Sequence, residues 1–562
     1  MTEAISGQVR LGTAGAAIGT AAMVATAFPR ASEAAIEILQ AGGNAIDAAA
    51  AAAWALAVCE PSGSGLGGQT TLLIRFADGR ASVIDGHSYA PAAVSKKLVS
   101  RSQQRKGYRA CVIPSTPATL DYAQSRYGVL SREKVMGPAI RIAEDGYAIT
   151  RLQRRQLNWC RKYLAGSEAT NPGAPGFLKD GMAFRVGDIF RQKQLAGTLR
   201  RLACTGIQDF YQGQIARTIA QDMKEHGGLI TKEDLAGFTL PVEREAISVS
   251  YRDYEVISAP APAGGLQVLM GLKILEQLIS GGSCPEQDEW IENLAEVSHA
   301  VFHQREALAV SPRDLSDASA LELLSEEYAA QIAENIKTGY NQTAIGPDKE
   351  EPGETTHLCT ADEQGNVVTL TQSIQSLFGA KVANGRLGFI YNNYLCTCTR
   401  RRHPYQLGGG CIPRSNAAPT VVLRNTCPDA GQPNDNSGRE QKPFLALGAA
   451  GSRRITSSVL QVISNIIDRR MSLEEAVSSP RVHGLLSRKV SIEKPAATEA
   501  ILKRLEKRFH NIRIRTRHSY SMGAVQALQF REEGTLIGVA DPRRDGSAIG
   551  LNESSAGIMA TD

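Results

Sequence analysis

The sequence predicts an α+β fold in which strands from both ends of the chain share one core. Three observations lead there. Helical periodicity dominates residues from about 95 to 345, and strand-like runs dominate after residue 355. Further strands are expected before residue 90, remote in sequence from the later group. No internal repeat is present and no free linker divides two self-sufficient halves, so early and late strands are expected to join.

Met23-Val24-Ala25-Thr26 reads as the first strand. Ala31 to Gln40 is an amphipathic helix, with Ala34, Ala35, Ile38 and Leu39 at helical spacing, ended by Gly42-Gly43-Asn44. Ala45 to Cys59 is a second helix, and its many alanines imply close approach to a neighbour. The glycine-rich stretch Glu60 to Gln69 follows. Such a loop can cradle phosphate, but here it comes after a helix and before a strand, the reverse of a dinucleotide fingerprint, so a structural turn is preferred. Strands are expected over Thr70 to Phe76 and over Ala81 to Asp85, the second ending at Gly86-His87-Ser88. Helices are expected over Pro117 to Ser125, Arg132 to Glu144, Arg191 to Ala203, Ile215 to Glu225 and Leu266 to Leu278. Thr231 is expected to cap a short helix, and Pro260 to Gly265 forms a rigid loop before another. Beyond residue 355, strands are expected over Phe389 to Asn392, Thr420 to Leu423, Phe444 to Leu447, Val490 to Glu493 and Ala524 to Arg531. Helices Thr456 to Ile467, Leu473 to Ser478 and Ala497 to Arg508 lie between them, and Cys427 to Lys442 reads as an exposed hairpin extension.

Apolar residues at 43% and charged residues at 21% of 562 describe a soluble globular protein. A net charge of +5 is mild for this length, and no basic stripe with interleaved aromatics appears, so nucleic acid is not an expected partner. Residues 11–28 resemble a secretion signal only in their small residues behind Arg10, and the alanine run is too short to span a bilayer. A reducing, cytoplasmic setting is therefore expected, with the ten cysteines as thiols.

The chemistry centres on Glu354-Thr355-Thr356-His357. A polar run, Gly346 to Gly353, reads as an exposed loop before it, and Asp362 to Asn366 supply a hairpin turn after it. A threonine that starts a strand behind a cuttable loop has the arrangement of an N-terminal nucleophile, whose freed α-amine serves as base for its own hydroxyl. An ordinary strand start is the plainer reading of Thr-Thr. The hairpin register brings Ser373, on the second arm, toward that amine. Gly448 to Arg454 runs into a helix, and the N–H groups of such a turn suit an oxyanion hole; a simple strand-to-helix turn is the alternative. Arg414 to Thr420 is a polar turn before a strand. Cys396 and Cys398 alternate on a strand as two core thiols rather than a metal pair, and Arg400-Arg401-Arg402-His403 is either a solvated loop or a face for an anionic substrate.

Together these stretches resemble the γ-glutamyltransferase family of N-terminal nucleophile hydrolases, from about Met23 to Gly550. The similarity rests on Gly42-Gly43-Asn44 to Ala49, Glu60-Pro61 to Gly68, Gly227-Gly228 to Leu235, Thr355-Thr356-His357, Phe378-Gly379, Asn392-Asn393, Pro419-Thr420, Gly451-Ser452-Arg453, Pro480-Arg481-Val482-His483 and Asp541-Pro542-Arg543. The resemblance implies a four-layer αββα sandwich. It also implies self-cleavage between Glu354 and Thr355 into fragments 1–354 and 355–562, which stay intertwined as a heterodimer, with higher oligomers left open. Thr355 would then attack a small substrate's carbonyl, and the N–H groups of Ala450 and Gly451 would hold the oxyanion, with no cofactor and no metal.

The glutamate-holding positions depart from the family. His87 stands where the family has an arginine for the α-carboxylate. Ser373-Ile374-Gln375 replaces Thr-x-Asn, Tyr394 and Thr397 replace the ligands of the α-amine, and Ser415-Asn416 replaces a serine pair. The expected function is therefore a self-processing threonine hydrolase or acyltransferase that cleaves an amide-type, or activated carbon–carbon, acyl bond with non-glutathione specificity. The alternatives are conventional γ-glutamyl transfer, with Arg400 to Arg402 or Arg414 in place of the lost arginine, and a non-catalytic scaffold.

Overall fold

The computed structural model describes residues 15–166, 173–238, 241–279, 284–307, 310, 312, 318–339, 353–425 and 441–552. The expected loop before Gly353 and the extension after Cys427 fall mainly outside them. Two seven-stranded antiparallel sheets form the centre. One runs in the order Ser547–Leu551, Ala22–Thr26, Gly353–Ala361, Val367–Ser376, Gln69–Arg75, Ala81–Gly86, Val242–Arg244. The other runs Ala16–Gly19, Leu536–Ala540, Ala524–Phe530, Gln441–Ala450, Thr420–Asn425, Tyr254–Ser258, Ile247–Tyr251. Early and late strands are interleaved in both, as the missing linker required.

The sheets stack through small and branched side chains, Ala25, Leu73, Cys359 and Val367 from the first against Val421, Ala446 and Leu528 from the second. Helices Pro29–Gln40 and Ala45–Cys59 cover the outer face of the first sheet, with Arg132–Asp145 packed outside them, and Gly265–Leu278 and Arg454–Ile467 cover the second, with Gln287–Ala307 packed outside them. This is the expected αββα sandwich. Every residue of Ala45–Cys59 is buried, and only alanine lets a helix press that closely on all sides. Its N-terminus is anchored to the central hairpin: Asp362 Oδ2 accepts from Ala45 N at 2.8 Å while Asp362 Oδ1 accepts from Asn366 N at 2.9 Å, so one carboxylate ties the helix start to the turn. The turn at Glu60 to Gln69 is structural. Its Ser62 and Gly63 carbonyls accept from Phe378 N and Ile374 N at 2.8 and 3.1 Å, fixing the end of the hairpin's second arm.

Two expectations need correction. The span expected to be helical contains the strands Val242–Arg244, Ile247–Tyr251 and Tyr254–Ser258, the last two joined through Arg252 at φ +54°. Cys396 and Cys398 do not alternate on a strand, because Tyr394–Thr397 is a short 3₁₀ turn. Asn392 and Asn393 create it: Asn392 Oδ1 accepts from Tyr394 N at 3.2 Å, and both amides bond backbone elsewhere, which takes the place of a ladder. Cys398 instead faces Cys411, sulfur to sulfur 3.6 Å. Among the described residues no helix is long and apolar enough to cross a membrane.

Candidate active site

Thr355 starts at the rim of the first sheet, on the central strand Gly353–Ala361, where the ladder breaks register. Glu354 pairs with Gln375 and Thr356 with Gln372, so Ser373 and Ile374 together oppose Thr355. This bulge swings the two hydroxyls together. Thr355 Oγ1 and Ser373 Oγ lie 3.2 Å apart, each residue 5% exposed. Ser373 Oγ also donates to the Glu354 carbonyl at 2.8 Å and accepts from Gln375 N at 2.9 Å. A hydroxyl has one proton. With that proton spent on the Glu354 oxygen, Thr355 must be the donor of the pair. The Glu354–Thr355 peptide thus has a nucleophilic oxygen and a polarising donor on the same short arm.

The Glu354 side chain is buried beneath this bond. Arg544 Nη1 donates to its carboxylate, to Glu60 Oε1 at 3.1 Å and to the Thr355 carbonyl at 3.0 Å. Tyr520 covers the guanidinium, 5.0 Å from its ring centre, and Gln156 Nε2 donates to the Tyr520 hydroxyl at 3.0 Å. Two buried acids share one cation. Burial raises the Glu354 carboxyl to about 8, against the pull of Arg544 and with a further push from Glu60. Gly63 is required beside this bond, since a Cβ there would sit 2.8 Å from Glu354 Cγ.

A pocket of about 300 Å³, its open mouth included, adjoins Thr355. Of the predicted residues, Ser373, Gln375, Tyr394, Ser415 and Asn416 line it; His87 and Thr397 do not. The Tyr394 hydroxyl lies among Ser373, Gln69 and Ser415, and burial lifts it to about 12. His87 Nδ1 is engaged by Asp85, two residues earlier, and Asp85 in turn meets Arg244 at 3.0 Å. Burial pushes the Asp85 carboxyl up, but these two neighbours hold it at about 2. The Thr397 hydroxyl donates to the Tyr394 carbonyl at 3.0 Å and serves the 3₁₀ turn. None of the described lining residues is charged.

Ala450 and Gly451 end the strand Gln441–Ala450 and turn into the helix Arg454–Ile467, with Ser452 and Ile455 of the same turn lining the pocket. Gly451 at φ +129° and Ser452 at φ +56° make the turn tight. The arginines of the sequence reading lie elsewhere. Arg400 donates to the Val99 and Lys96 carbonyls at 2.6 Å each, and Arg414 pairs with Glu306 at 2.7 Å. Residues that sequence reasoning missed are Gln69, Thr71 and Thr371 in the lining, Arg305 behind it, and Glu60 and Arg544 under the Glu354–Thr355 bond. Both Glu60 and Arg544 sit in or beside stretches that carry the family resemblance, which was their available signal.

Helices on both faces of two stacked antiparallel sheets, with a buried threonine hydroxyl at the rim of the central strand, define an N-terminal nucleophile hydrolase. The family model for gamma-glutamyltranspeptidase matches residues 31–551. The chain is 34% identical over 558 residues to the acylase ACY 1 proenzyme of Pseudomonas sp. (strain SE83), covering 95% of this chain and 94% of that protein. It is 31% identical over 546 residues to the glutathione hydrolase proenzyme of Escherichia coli (strain K12), covering 93% and 90%. The crystal structure of cephalosporin acylase from Bacillus halodurans superposes with a TM-score of 0.83 at 26% identity, over 98% of this chain and 99% of that one. The chain belongs to the gamma-glutamyltranspeptidase family. It is an enzyme of the hydrolase and transferase type found there.

Proposed function

We propose that the chain cuts itself between Glu354 and Thr355 and then uses Thr355 to cleave an amide-type acyl bond of a small substrate whose acyl group carries no ammonium. The observation that carries the first half is Ser373 Oγ, 3.2 Å from the Thr355 hydroxyl and 2.8 Å from the Glu354 carbonyl. Attack of Thr355 Oγ1 on the Glu354 carbonyl carbon transfers the acyl group from nitrogen to oxygen. Water then releases fragment 1–354 and leaves a free amine on Thr355. The same hydroxyl attacks the substrate, the amine moves its proton, and the N–H groups of Ala450 and Gly451 receive the oxyanion. Two relatives named as proenzymes support self-processing.

The substrate half rests on the lining. An α-ammonium held in a pocket needs a carboxylate partner, and none lines this one among the described residues. Tyr394, whose ring is buried, occupies the position of the family's amine ligands. The acylase relative points the same way, whereas the glutathione hydrolase relative favours γ-glutamyl release as the second reading. Denaturing electrophoresis of wild type against Thr355→Ala, followed by a panel of neutral, anionic and γ-glutamyl anilides, decides between them. Two fragments in wild type and one intact chain in the variant are expected, with γ-glutamyl anilide the poorest substrate. An intact wild-type chain overturns the enzyme reading, and robust γ-glutamyl turnover overturns the specificity.

A further inference from the structure

The charges buried under the Glu354–Thr355 peptide do not balance. Arg544 supplies one guanidinium, which Glu60 and Glu354 share, and all three side chains are buried. The neighbouring groups do not correct the count. Asp545, beyond Arg544, takes the Thr150 hydroxyl at 2.6 Å and faces Arg155, one charge against one. The Cys160 thiol faces Glu354 from the helix Arg151–Leu164, and burial pushes it up to about 11, so it is neutral. Tyr520 offers its ring to the guanidinium. Two carboxylates sharing one cation away from water are less favourable than one carboxylate and one carboxylic acid, so the pair keeps a proton. Arg544 occupies Glu354 Oε1, and Oε2 is buried with no partner among the described residues, so nothing else claims a proton held there.

The same carboxyl lies against the bond to be broken. A Cβ on Gly63 would sit 3.3 Å from Glu354 Oε1 and 3.4 Å from Thr355 N, and the Thr355 N–H is turned to this carboxyl. A planar amide nitrogen only donates. Once Thr355 Oγ1 has added to the Glu354 carbon, the nitrogen is pyramidal, its lone pair is free, and it must gain a proton to leave. We infer that the Glu354 side chain is the acid that supplies this proton, with Arg544 and Glu60 as positioning residues that hold it protonated under the bond. This rests on the self-cleavage reading above and adds the group that protonates the leaving nitrogen. Thr355 gives its hydroxyl proton to Ser373 as Ser373 gives its own to the Glu354 carbonyl oxygen, and the oxygen–carbon bond forms. The carbon–nitrogen bond breaks as nitrogen takes the carboxyl proton, and the proton on the former carbonyl oxygen returns through Ser373 to the new amine. An ester, an ammonium and a carboxylate result. Two carboxylates then face two cations, Arg544 and the ammonium, so the charges match only after the cut.

The full-length chain made by cell-free synthesis, moved into buffers from about pH 6 to about pH 10 and followed on denaturing gels, gives the cutting rate without any substrate. Wild type is expected to cut at a steady rate up to about pH 8 and to slow about tenfold per further unit. Glu354→Gln keeps an acceptor for Arg544 but has no proton to give. It is expected to cut about 10²-fold more slowly and without that fall, and Glu354→Asp to recover part of the rate. Glu60→Gln removes the charge that resists ionisation of Glu354, so its fall is expected at lower pH, a shift that lost packing alone would not produce. Circular dichroism of each substitution in the uncut Thr355→Ala chain is expected to match Thr355→Ala itself. Glu354→Gln cutting at the wild-type rate with the wild-type pH profile, or a Glu60→Gln profile that does not move, overturns this inference alone. A wild-type chain that stays whole at every pH overturns the self-cleavage reading and this one with it.

Discussion

Ser373 donates its one hydroxyl proton to the carbonyl oxygen of Glu354, 2.8 Å away, and so stands toward Thr355 as an acceptor. In the uncut chain it therefore polarises the bond to be broken and draws the proton of the oxygen that attacks. Ser373→Ala is expected to slow fragment formation by about 10²–10³-fold, the usual cost of one lost oxyanion donor. A time course on denaturing gels measures this, and wild-type rates in the variant refute the role. Thermal midpoints of the uncut Ser373→Ala and Thr355→Ala proteins should agree within a few degrees.

The acids beneath the bond give the uncut chain a pH signature. Glu354 keeps its proton in the folded state up to about 8 and loses it near 4.5 when unfolded. Between those values the folded state binds the extra proton, so stability falls as pH rises through that window. Thr355→Ala, which stays uncut, is expected to lose stability of order 2–5 kcal/mol from pH 5 to 8. Adding Glu354→Gln should flatten that slope. Chemical denaturation at three pH values checks it, and a slope of the opposite sign rejects it.

Gly448 faces His357 across the two sheets, and a Cβ there would fall against the imidazole inside van der Waals contact. The ring is fixed by Thr371, Nδ1 to Oγ1 2.9 Å, and burial holds it neutral by lowering it to about 3. Gly448→Ala is expected to cost about 1–3 kcal/mol through overpacking. His357→Ala alone also destabilises, by opening a cavity. The double variant should be more stable than the sum of the two losses, which a double-mutant cycle by urea unfolding measures. Strict additivity counts against the contact.

Cys398 and Cys411 stand 3.6 Å apart on either side of the Arg400 loop. Mild oxidation is expected to join them and remove two thiols from a titration, adding about 2–3 kcal/mol through the closed loop. Peptide mapping under non-reducing conditions locates the bond. Persistence of both thiols under diamide refutes it.

Local chemistry was legible in the sequence wherever the partner lay a short hairpin away. Ser373 could be placed because the turn from Asp362 to Asn366 sets the register, although the bulge that brings it to Thr355 could not. The alanine helix, a local pattern, was readable as well. Arg305 and Asn416 are 111 residues apart and Arg544 and Glu354 are 190 apart, and no periodicity links such pairs. His87 was readable as a departure from the family but not as a partner of Asp85, whose other oxygen is taken by Arg244 from a neighbouring strand. The strands Ile247–Tyr251 and Tyr254–Ser258 are short and sit among helices, so their alternation was outweighed by its surroundings.

The order of strands has one more consequence. In the first sheet, Gly353–Ala361 lies between Ala22–Thr26 and Val367–Ser376, and in the second, Thr420–Asn425 lies between Gln441–Ala450 and Tyr254–Ser258. Severing the chain before Thr355 would remove covalent continuity without taking a neighbour from either strand. The two pieces would resemble the teeth of a closed zip more than two docked bodies, with no plane along which they could part. Separating them would mean dismantling both sheets, so maturation of this chain would be irreversible in chemistry and almost silent in shape.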